Sequence, residues 1–135
     1  MNGTQDETAL LRIAEEARDS AYCPYSNHPV GVALQTPDGT IFKGVNVETA
    51  HYKGTCAEAS AISAMILAGH KKISAVAVVG PYKSPCWPCG DCRQRLFEFS
   101  DKTTLIHTYQ HNDSILTYKL SELLPEAFGP DNLGD

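Results

Sequence analysis

The apolar residues of this chain change their spacing several times, and each change marks a new element. Near the N-terminus they recur three and four residues apart, which predicts a helix that ends near Ser20. Apolar residues at every second position then predict one strand over 30–34 and another over 41–47. Because the Pro-Asp-Gly sequence at 37–39 is typical of turns, these two strands are predicted to form a hairpin.

The second half of the chain continues this alternation of helix and strand patterns. A stretch rich in Ala, Ile, Met and Leu over 57–68, ended by Gly69, predicts a second helix. A β-branched run over 73–79 predicts a strand that is buried on both faces. A helix, two strands and a short helix are predicted over 90–99, 103–109, 114–120 and 121–124. The resulting order, α-β-β-α-β-α-β-β-α, predicts an α/β fold with helices on the faces of a central sheet.

Length and charge narrow the range of functions. A chain of 135 residues fits a single domain, 1–135. Its 16 acidic and 11 basic residues give a net charge of -5, which disfavours a nucleic-acid partner because such binding needs a basic face. The apolar run at 75–79 is far shorter than the roughly 20 residues of a membrane-spanning helix, and no signal peptide is visible. We therefore expect a cytoplasmic protein without a membrane partner.

The cysteines carry the strongest chemical signal. There are five, and an odd number cannot pair completely within one chain. Because Cys86, Cys89 and Cys92 lie so close together in sequence, we expect reduced thiols that bind a metal. Cys56 and Cys89 each precede a predicted helix, where free backbone N–H groups stabilise thiolates.

A glutamate near these cysteines suggests catalysis. A zinc ion with three protein ligands keeps a fourth position open for water, which is typical of catalytic sites. Glu58, two residues after Cys56, is placed to carry protons to and from that water. A structural zinc site with four protein ligands, or a set of simple buried thiols, is the alternative.

Six ordered segments of the sequence resemble the cytidine deaminase family over nearly the whole chain. They are 21–26 (Ala-Tyr-Cys-Pro-Tyr-Ser), 29–34 (Pro-Val-Gly-Val-Ala-Leu), 44–48 (Gly-Val-Asn-Val-Glu), 56–58 (Cys-Ala-Glu), 88–94 (Pro-Cys-Gly-Asp-Cys-Arg-Gln) and 123–130 (Leu-Leu-Pro-Glu-Ala-Phe-Gly-Pro). The Cys-Ala-Glu and Pro-Cys-x-x-Cys segments are the known signature of zinc deaminases, in which the glutamate is a general acid/base and not a ligand.

The resemblance implies a fold, a reaction and a metal. The fold is a three-layer α/β/α sandwich with a mixed five-stranded sheet, assembled as a homotetramer. The reaction is zinc-dependent hydrolytic deamination of cytidine or deoxycytidine, a step of pyrimidine salvage. One Zn²⁺ per subunit would be held by Cys56, Cys89 and Cys92, while Glu58 would move protons between water, N3 of the cytosine and the departing ammonia.

The resemblance also implies which residues contact the nucleoside. They are Asn46, Glu48, Phe128, Tyr52, Tyr25 and Ala57. Asn46 and Glu48 match a pair that holds the ribose hydroxyls, and their spacing of two places both on one face of a strand. Phe128 matches an aromatic residue that stacks on the base from a neighbouring subunit, and the two tyrosines match aromatics near the ribose.

The sequence departs from the family pattern at several positions. Ala59 stands where many members with three cysteines have Arg, so another cation is needed beside a negatively charged thiolate centre, and Arg93 is our hypothesis for it. His28 replaces a Phe beside the base and Thr49 replaces an Asn, which leaves the preferred nucleoside open. Cys86 lies in a second Pro-Cys-x-x-Cys sequence, over 85–89, and could replace one of the ligands.

Other functions remain open on the sequence alone. A modified cytosine nucleoside of the blasticidin S type could be the substrate, and the chain could also be a zinc-binding homologue without activity. The sequence Cys-x-x-Cys-x-x-Cys over 86–92 is compatible with an iron–sulfur carrier. A polynucleotide editor is disfavoured by the acidic charge.

Overall fold

The computed structural model describes residues 3–134 of the chain. Within that range the helices are α1 (Gly3–Arg18), α2 (Ala57–Leu67), α3 (Gly90–Phe97) and α4 (Leu120–Leu123), with short 3₁₀ helices at His111–Asp113 and Pro130–Asn132. The strands are β1 (Gly31–Gln35), β2 (Ile41–Val45), β3 (Ala75–Val79), β4 (Leu105–Tyr109) and β5 (Ile115–Lys119). This order confirms the α-β-β-α-β-α-β-β-α prediction.

The five strands form one mixed sheet in the order β2-β1-β3-β4-β5. Strands β3 and β4 run parallel, whereas β1 pairs antiparallel with both β2 and β3, and β5 pairs antiparallel with β4. A parallel pair needs a crossover connection, and the segment between β3 and β4 contains α3. This crossover brings the start of α3 to the same face of the sheet as α2.

Helices cover both faces of the sheet, as expected for three layers. On one face, α1 packs Leu10, Leu11 and Ala14 against Ala33 and Ala77. On the other face, α2 and α3 pack against the alternate positions of the same strands, and the buried residues of that cluster include Val32, Leu34, Ala61, Met65, Val76, Val78, Leu96 and Ile106. Strand β3 is therefore buried on both sides, which its continuous apolar run predicts.

Glycines let the helices approach the sheet closely. A Cβ atom on Gly44 of β2 would collide with the backbone of Ala57 and Ala61 in α2. A Cβ atom on Gly31 of β1 would likewise collide with the backbone of Ala14 and Arg18 in α1. Because Ala57 directly follows Cys56, the position of Gly44 determines how close the start of α2 comes to the sheet.

The main difference from the sequence prediction lies at the end of β2. Alternation predicts a strand through Val47, but β2 ends at Val45. Beyond it, Val47 forms isolated bridges to Tyr22 and Thr55. The chain thus leaves the sheet and runs between two loops, which is the region where Asn46 and Glu48 lie. Within the part of the chain that is described, no helix has both the length and the apolar character to cross a membrane.

The close approach at Gly44 yields a stability prediction. We expect Gly44→Ala to lower the free energy of unfolding by about 2 kcal/mol or more, because the added methyl group overlaps main-chain atoms that cannot move aside without shifting α2. Gly90→Ala is the matched control, because a Cβ atom there meets nothing within 4 Å. Urea denaturation of both variants measures the effect, and equal stability of the two would contradict the packing described for α2.

Candidate functional site

Two helix starts meet on one face of the sheet and bring sulfur atoms together. Cys56 is the N-cap of α2 and Cys89 is the N-cap of α3, and both have extended backbone conformations. The Sγ atoms of Cys56 and Cys92 lie 2.7 Å apart. Among the described residues, Cys56, Glu58 and Cys92 form a group whose ligand atoms all lie within 4.8 Å of one another.

Burial and hydrogen bonds set the charge of this group. The Cys92 contact is the main reason that the pKa of the Cys56 thiol falls to about 7, and the backbone N–H of Ala59 lowers it further. The same contact raises the pKa of Cys92, because one proton is shared between two sulfurs. Glu58 is only 4% exposed, and this burial raises the pKa of its carboxyl group. A carboxyl group with a raised pKa is suited to taking up and releasing protons near neutral pH.

The remaining cysteines differ in their surroundings. Cys89, the third predicted ligand, is exposed and is not part of the group of ligand atoms that Cys56, Glu58 and Cys92 form. Cys86 is half-buried and packs against the hydrophobic core, and this burial raises the pKa of its thiol to about 11. Soft thiolate ligands on two facing helix starts fit a zinc ion, and the sequence resemblance assigns the third ligand position to Cys89. Cys23, outside this region, is half-buried.

A cavity of about 530 Å³ opens next to Cys56. Its lining includes four residues that the sequence resemblance assigns to the nucleoside, namely Tyr25, Asn46, Glu48 and Tyr52. The other lining residues are Ser26, Val47, Thr49, Gly54 and Thr55, together with Cys56 itself. The structure therefore brings most of the predicted contacts and one predicted ligand into a single cavity.

Glu48 and Asn46 hold the loop that forms one wall of this cavity. The backbone N–H groups of Tyr25 and Ser26 donate to Oε1 of Glu48 at 3.0 and 3.1 Å, and the Ser26 hydroxyl donates to Oε2. These bonds, led by those from Ser26, lower the pKa of Glu48, which keeps the carboxylate charged. Asn46 accepts from the N–H of Val30 and donates to the carbonyl of His28, both at 2.9 Å.

Two of the predicted substrate contacts lie outside the cavity lining. Ala57 is 1% exposed and packs in the core behind Cys56. Phe128 is 57% exposed, and its carbonyl accepts a hydrogen bond from the side chain of Gln94 at 2.8 Å. Within one copy of the chain, the structure does not bring the Phe128 ring to the cavity.

Residues next to the metal-binding region anchor the C-terminal segment. Arg93 donates from Nε to the carbonyl of Pro88 at 2.7 Å and from Nη1 to the carbonyl of Leu123 at 2.9 Å. These bonds, with that of Gln94, hold residues 123–128 against α3. Sequence reasoning missed this anchoring role, and also the role of Ser26, because both depend on contacts between distant segments that no local pattern reveals.

Comparisons with known proteins agree with this geometry. The family model for the cytidine and deoxycytidylate deaminase zinc-binding region matches residues 4–108. A cytidine deaminase of Halalkalibacterium halodurans is 38% identical over 131 residues, covering 96% of this chain and 99% of the relative. A cytidine deaminase of Mycobacterium tuberculosis is 38% identical over 129 residues, covering 95% of this chain and 93% of the relative.

Solved structures show the same similarity. The crystal structure of cytidine deaminase from Burkholderia pseudomallei matches with a TM-score of 0.84 and 39% identity, covering 95% of this chain and all of that chain (100%). The crystal structure of cytidine deaminase from Mycobacterium tuberculosis matches with a TM-score of 0.81 and 37% identity, covering 92% of this chain and 98% of that chain. The family resemblance read from the sequence is therefore confirmed, and this chain belongs to the cytidine deaminase family.

Proposed function

We propose that this protein is a zinc-dependent enzyme that hydrolyses cytidine and deoxycytidine to the corresponding uracil nucleosides and ammonia. The observation that carries the proposal is the buried Glu58, held within 4.8 Å of two cysteine sulfurs beside a cavity of nucleoside size. In the reaction, the C4–N bond of the cytosine breaks, a C4–O bond to the oxygen of water forms, and the amino group leaves as ammonia.

The metal would be held by Cys56, Cys89 and Cys92. When bound there, zinc lowers the pKa of a water molecule toward ~7 and so supplies a nucleophile at neutral pH. The thiolates sit at helix N-termini, whose backbone N–H groups stabilise negative charge. The Ala59 N–H on Cys56 is one such contact.

Glu58 carries the protons. Its burial raises the pKa of the carboxyl group, so both protonation states are accessible during the cycle. The carboxylate takes a proton from water and passes it to N3 of the cytosine ring. It then takes the remaining proton of the former water from the oxygen now bonded to C4 and delivers it to the amino group, which leaves as neutral ammonia.

Asn46 and Glu48 bind the ribose in this proposal, with Tyr25 and Tyr52 along the cavity wall. The Glu48 carboxylate is fixed by the loop at 25–26 and keeps acceptor capacity for a sugar hydroxyl. Asn46 is fixed by two hydrogen bonds in the same way. A charged acceptor that is already oriented loses little entropy on binding and favours a ligand with hydroxyl groups.

A second copy of the chain would complete the site. Tyr52 is 93% exposed and Phe128 lies on the surface, so the cavity is open and the aromatic partner for the base is missing within one copy. We propose a homotetramer of single-domain subunits, 1–135, in which Phe128 of a neighbouring subunit stacks on the base. Ala57 is a further substrate contact in this proposal. The thiol-rich site suits the reducing cytoplasm, and the reaction suits pyrimidine salvage.

The proton-carrying role of Glu58 is tested by Glu58→Gln. We expect cytidine deamination, followed by the loss of absorbance of the cytosine base, to fall by at least about a hundredfold while zinc content is unchanged, since the amide cannot take up a proton. Glu16→Gln, an exposed change on α1, is the matched control and should leave activity unchanged.

The same assay separates the candidate substrates. Deoxycytidine and a modified cytosine nucleoside of the blasticidin S type are measured beside cytidine. Activity that survives Glu58→Gln would contradict the mechanism. A wild-type protein that binds one zinc and releases no ammonia from any of these nucleosides would be a non-catalytic homologue.

The zinc ligands are tested by single cysteine replacements. We expect Cys56→Ser, Cys89→Ser and Cys92→Ser each to reduce the zinc content of the purified protein well below one ion per chain. Cys86→Ser should retain zinc, because the Cys86 thiol packs against the hydrophobic core. Cys23→Ser is the control for loss of a thiol elsewhere. Zinc retained by Cys89→Ser and lost by Cys86→Ser would assign the third position to Cys86 instead.

A further inference from the structure

The carboxylate of Glu48 needs contacts from other segments to hold one direction. Glu48 follows β2, which ends at Val45, and it lines the cavity beside Cys56. A glutamate side chain on a protein surface samples several rotamers, and fixing one of them costs up to about 2 kcal/mol. The contacts that fix this carboxylate before a nucleoside arrives therefore decide how well it can bind a sugar hydroxyl.

Two backbone N–H groups fix one oxygen of this carboxylate. Tyr25 and Ser26 are neighbours in sequence, and their N–H groups donate to Oε1 of Glu48 at 3.0 and 3.1 Å. They lie in a turn that is closed by the N–H of Asn27, which donates to the carbonyl of Cys23 at 3.0 Å. Successive N–H groups that point the same way are a common anion-binding arrangement. A carboxylate oxygen has two acceptor sites, and both sites of Oε1 are occupied in this way.

The hydroxyl group of Ser26 fixes the other oxygen. An ionised carboxylate can only accept, so the Ser26 hydroxyl donates its hydrogen to Oε2 of Glu48. The hydroxyl oxygen in turn accepts from the N–H of His28 at 3.1 Å, and the carbonyl of His28 accepts from Nδ2 of Asn46 at 2.9 Å. The hydroxyl is thus held from both sides, and its contact is the main cause of the lowered pKa of Glu48.

These contacts leave little acceptor capacity on Glu48. A carboxylate offers about four acceptor sites, two on each oxygen. Residues in the described part of the chain fill both sites of Oε1 and one site of Oε2. One site of Oε2 remains for a ligand in the cavity. A single sugar hydroxyl can therefore donate to Glu48, whereas a pair of neighbouring hydroxyls cannot both do so.

We propose that Ser26 is the positioning residue of the sugar site, because its hydroxyl fixes Glu48 and leaves that carboxylate one acceptor site for one ribose hydroxyl. This inference deepens the proposed function and rests on it. In this role Ser26 acts through Glu48 and takes no part in the proton transfers of Glu58. The sugar hydroxyl that Glu48 binds should therefore be sensitive to the loss of the Ser26 hydroxyl, and the rest of the nucleoside should not.

The test measures kcat and KM of Ser26→Ala in the zinc-loaded enzyme. With cytidine, we expect KM to rise about three- to tenfold, the size typical of one lost hydrogen bond, and kcat to stay within about twofold. Calorimetric titration with uridine, which has the same sugar, should show an equal rise in Kd without turnover. Ser26→Thr keeps the hydroxyl group and should stay within about twofold of wild type in all three quantities.

A comparison of three nucleosides shows whether Ser26 acts through Glu48. Cytidine, 2′-deoxycytidine and 3′-deoxycytidine differ only in the hydroxyl groups that the sugar can donate. We expect Ser26→Ala to raise KM for cytidine and for the analogue that keeps the hydroxyl bound by Glu48. For the other analogue, which lacks that hydroxyl, KM should be the same in the variant and in wild type.

A matched control lies in the turn between β4 and β5. Ser114 is exposed there, and its hydroxyl also donates a hydrogen bond within a turn, to the carbonyl of His111 at 3.4 Å. We expect Ser114→Ala to leave kcat and KM unchanged for all three nucleosides, which separates an effect at the sugar site from the general loss of a surface hydroxyl.

Two results would overturn the inference. An unchanged KM in Ser26→Ala would show that the N–H groups of residues 25 and 26 fix Glu48 without the hydroxyl. An equal rise of KM for all three nucleosides would show that the hydroxyl only holds the loop. Failure of the proposed function is a different result, because wild-type protein would then release no ammonia from any of the three nucleosides, and that result would overturn both proposals.

Discussion

The structure depends on one contact, the meeting of two helix starts above the same face of the sheet. Helices α2 and α3 come from distant parts of the chain, yet both bury their apolar faces against β1, β3 and β4. That packing brings the Sγ atoms of Cys56 and Cys92 into contact and encloses Glu58 beside them. Gly44 allows this arrangement, because any side chain there would push α2 away from the sheet. Hydrophobic packing of the two helices thus fixes the positions of the side chains at the metal centre.

A second set of interactions makes the cavity. The chain leaves the sheet after Val45, and Glu48 then fixes the backbone of residues 25–26 through direct hydrogen bonds. The carboxylate that we propose as a ribose ligand therefore also shapes the wall of its own site. A change at Glu48 would alter both the binding group and the loop, so effects on KM measured at this position combine the two roles. Ser26 contacts both oxygens of the Glu48 carboxylate, because its backbone N–H donates to Oε1 and its hydroxyl donates to Oε2.

Much of the fold and of the candidate site could be predicted from the sequence. The features that could not be predicted have one physical reason in common. Alternating and helical periods predict the element order, and the apolar run of β3 predicts its double burial, because both are local patterns. The end of β2 was predicted two residues too late, because Val47 pairs with two loops and keeps a strand-like pattern outside the sheet. The Cys and Glu spacing indicates the zinc centre, yet only the structure shows that Arg93 anchors the C-terminal segment through the carbonyl groups of Pro88 and Leu123. Long-range contacts of this kind leave no periodic signal.

The central claim is that this helix contact holds a zinc ion with three sulfur ligands and one open position. X-ray absorption spectroscopy at the zinc edge on the purified protein measures the ligand set directly. The account predicts three sulfur atoms at about 2.3 Å and one oxygen or nitrogen atom at about 2.0 Å. A shell of four sulfur atoms, with Cys86 as the fourth ligand, would contradict it, because no position would remain for the water that the hydrolysis requires.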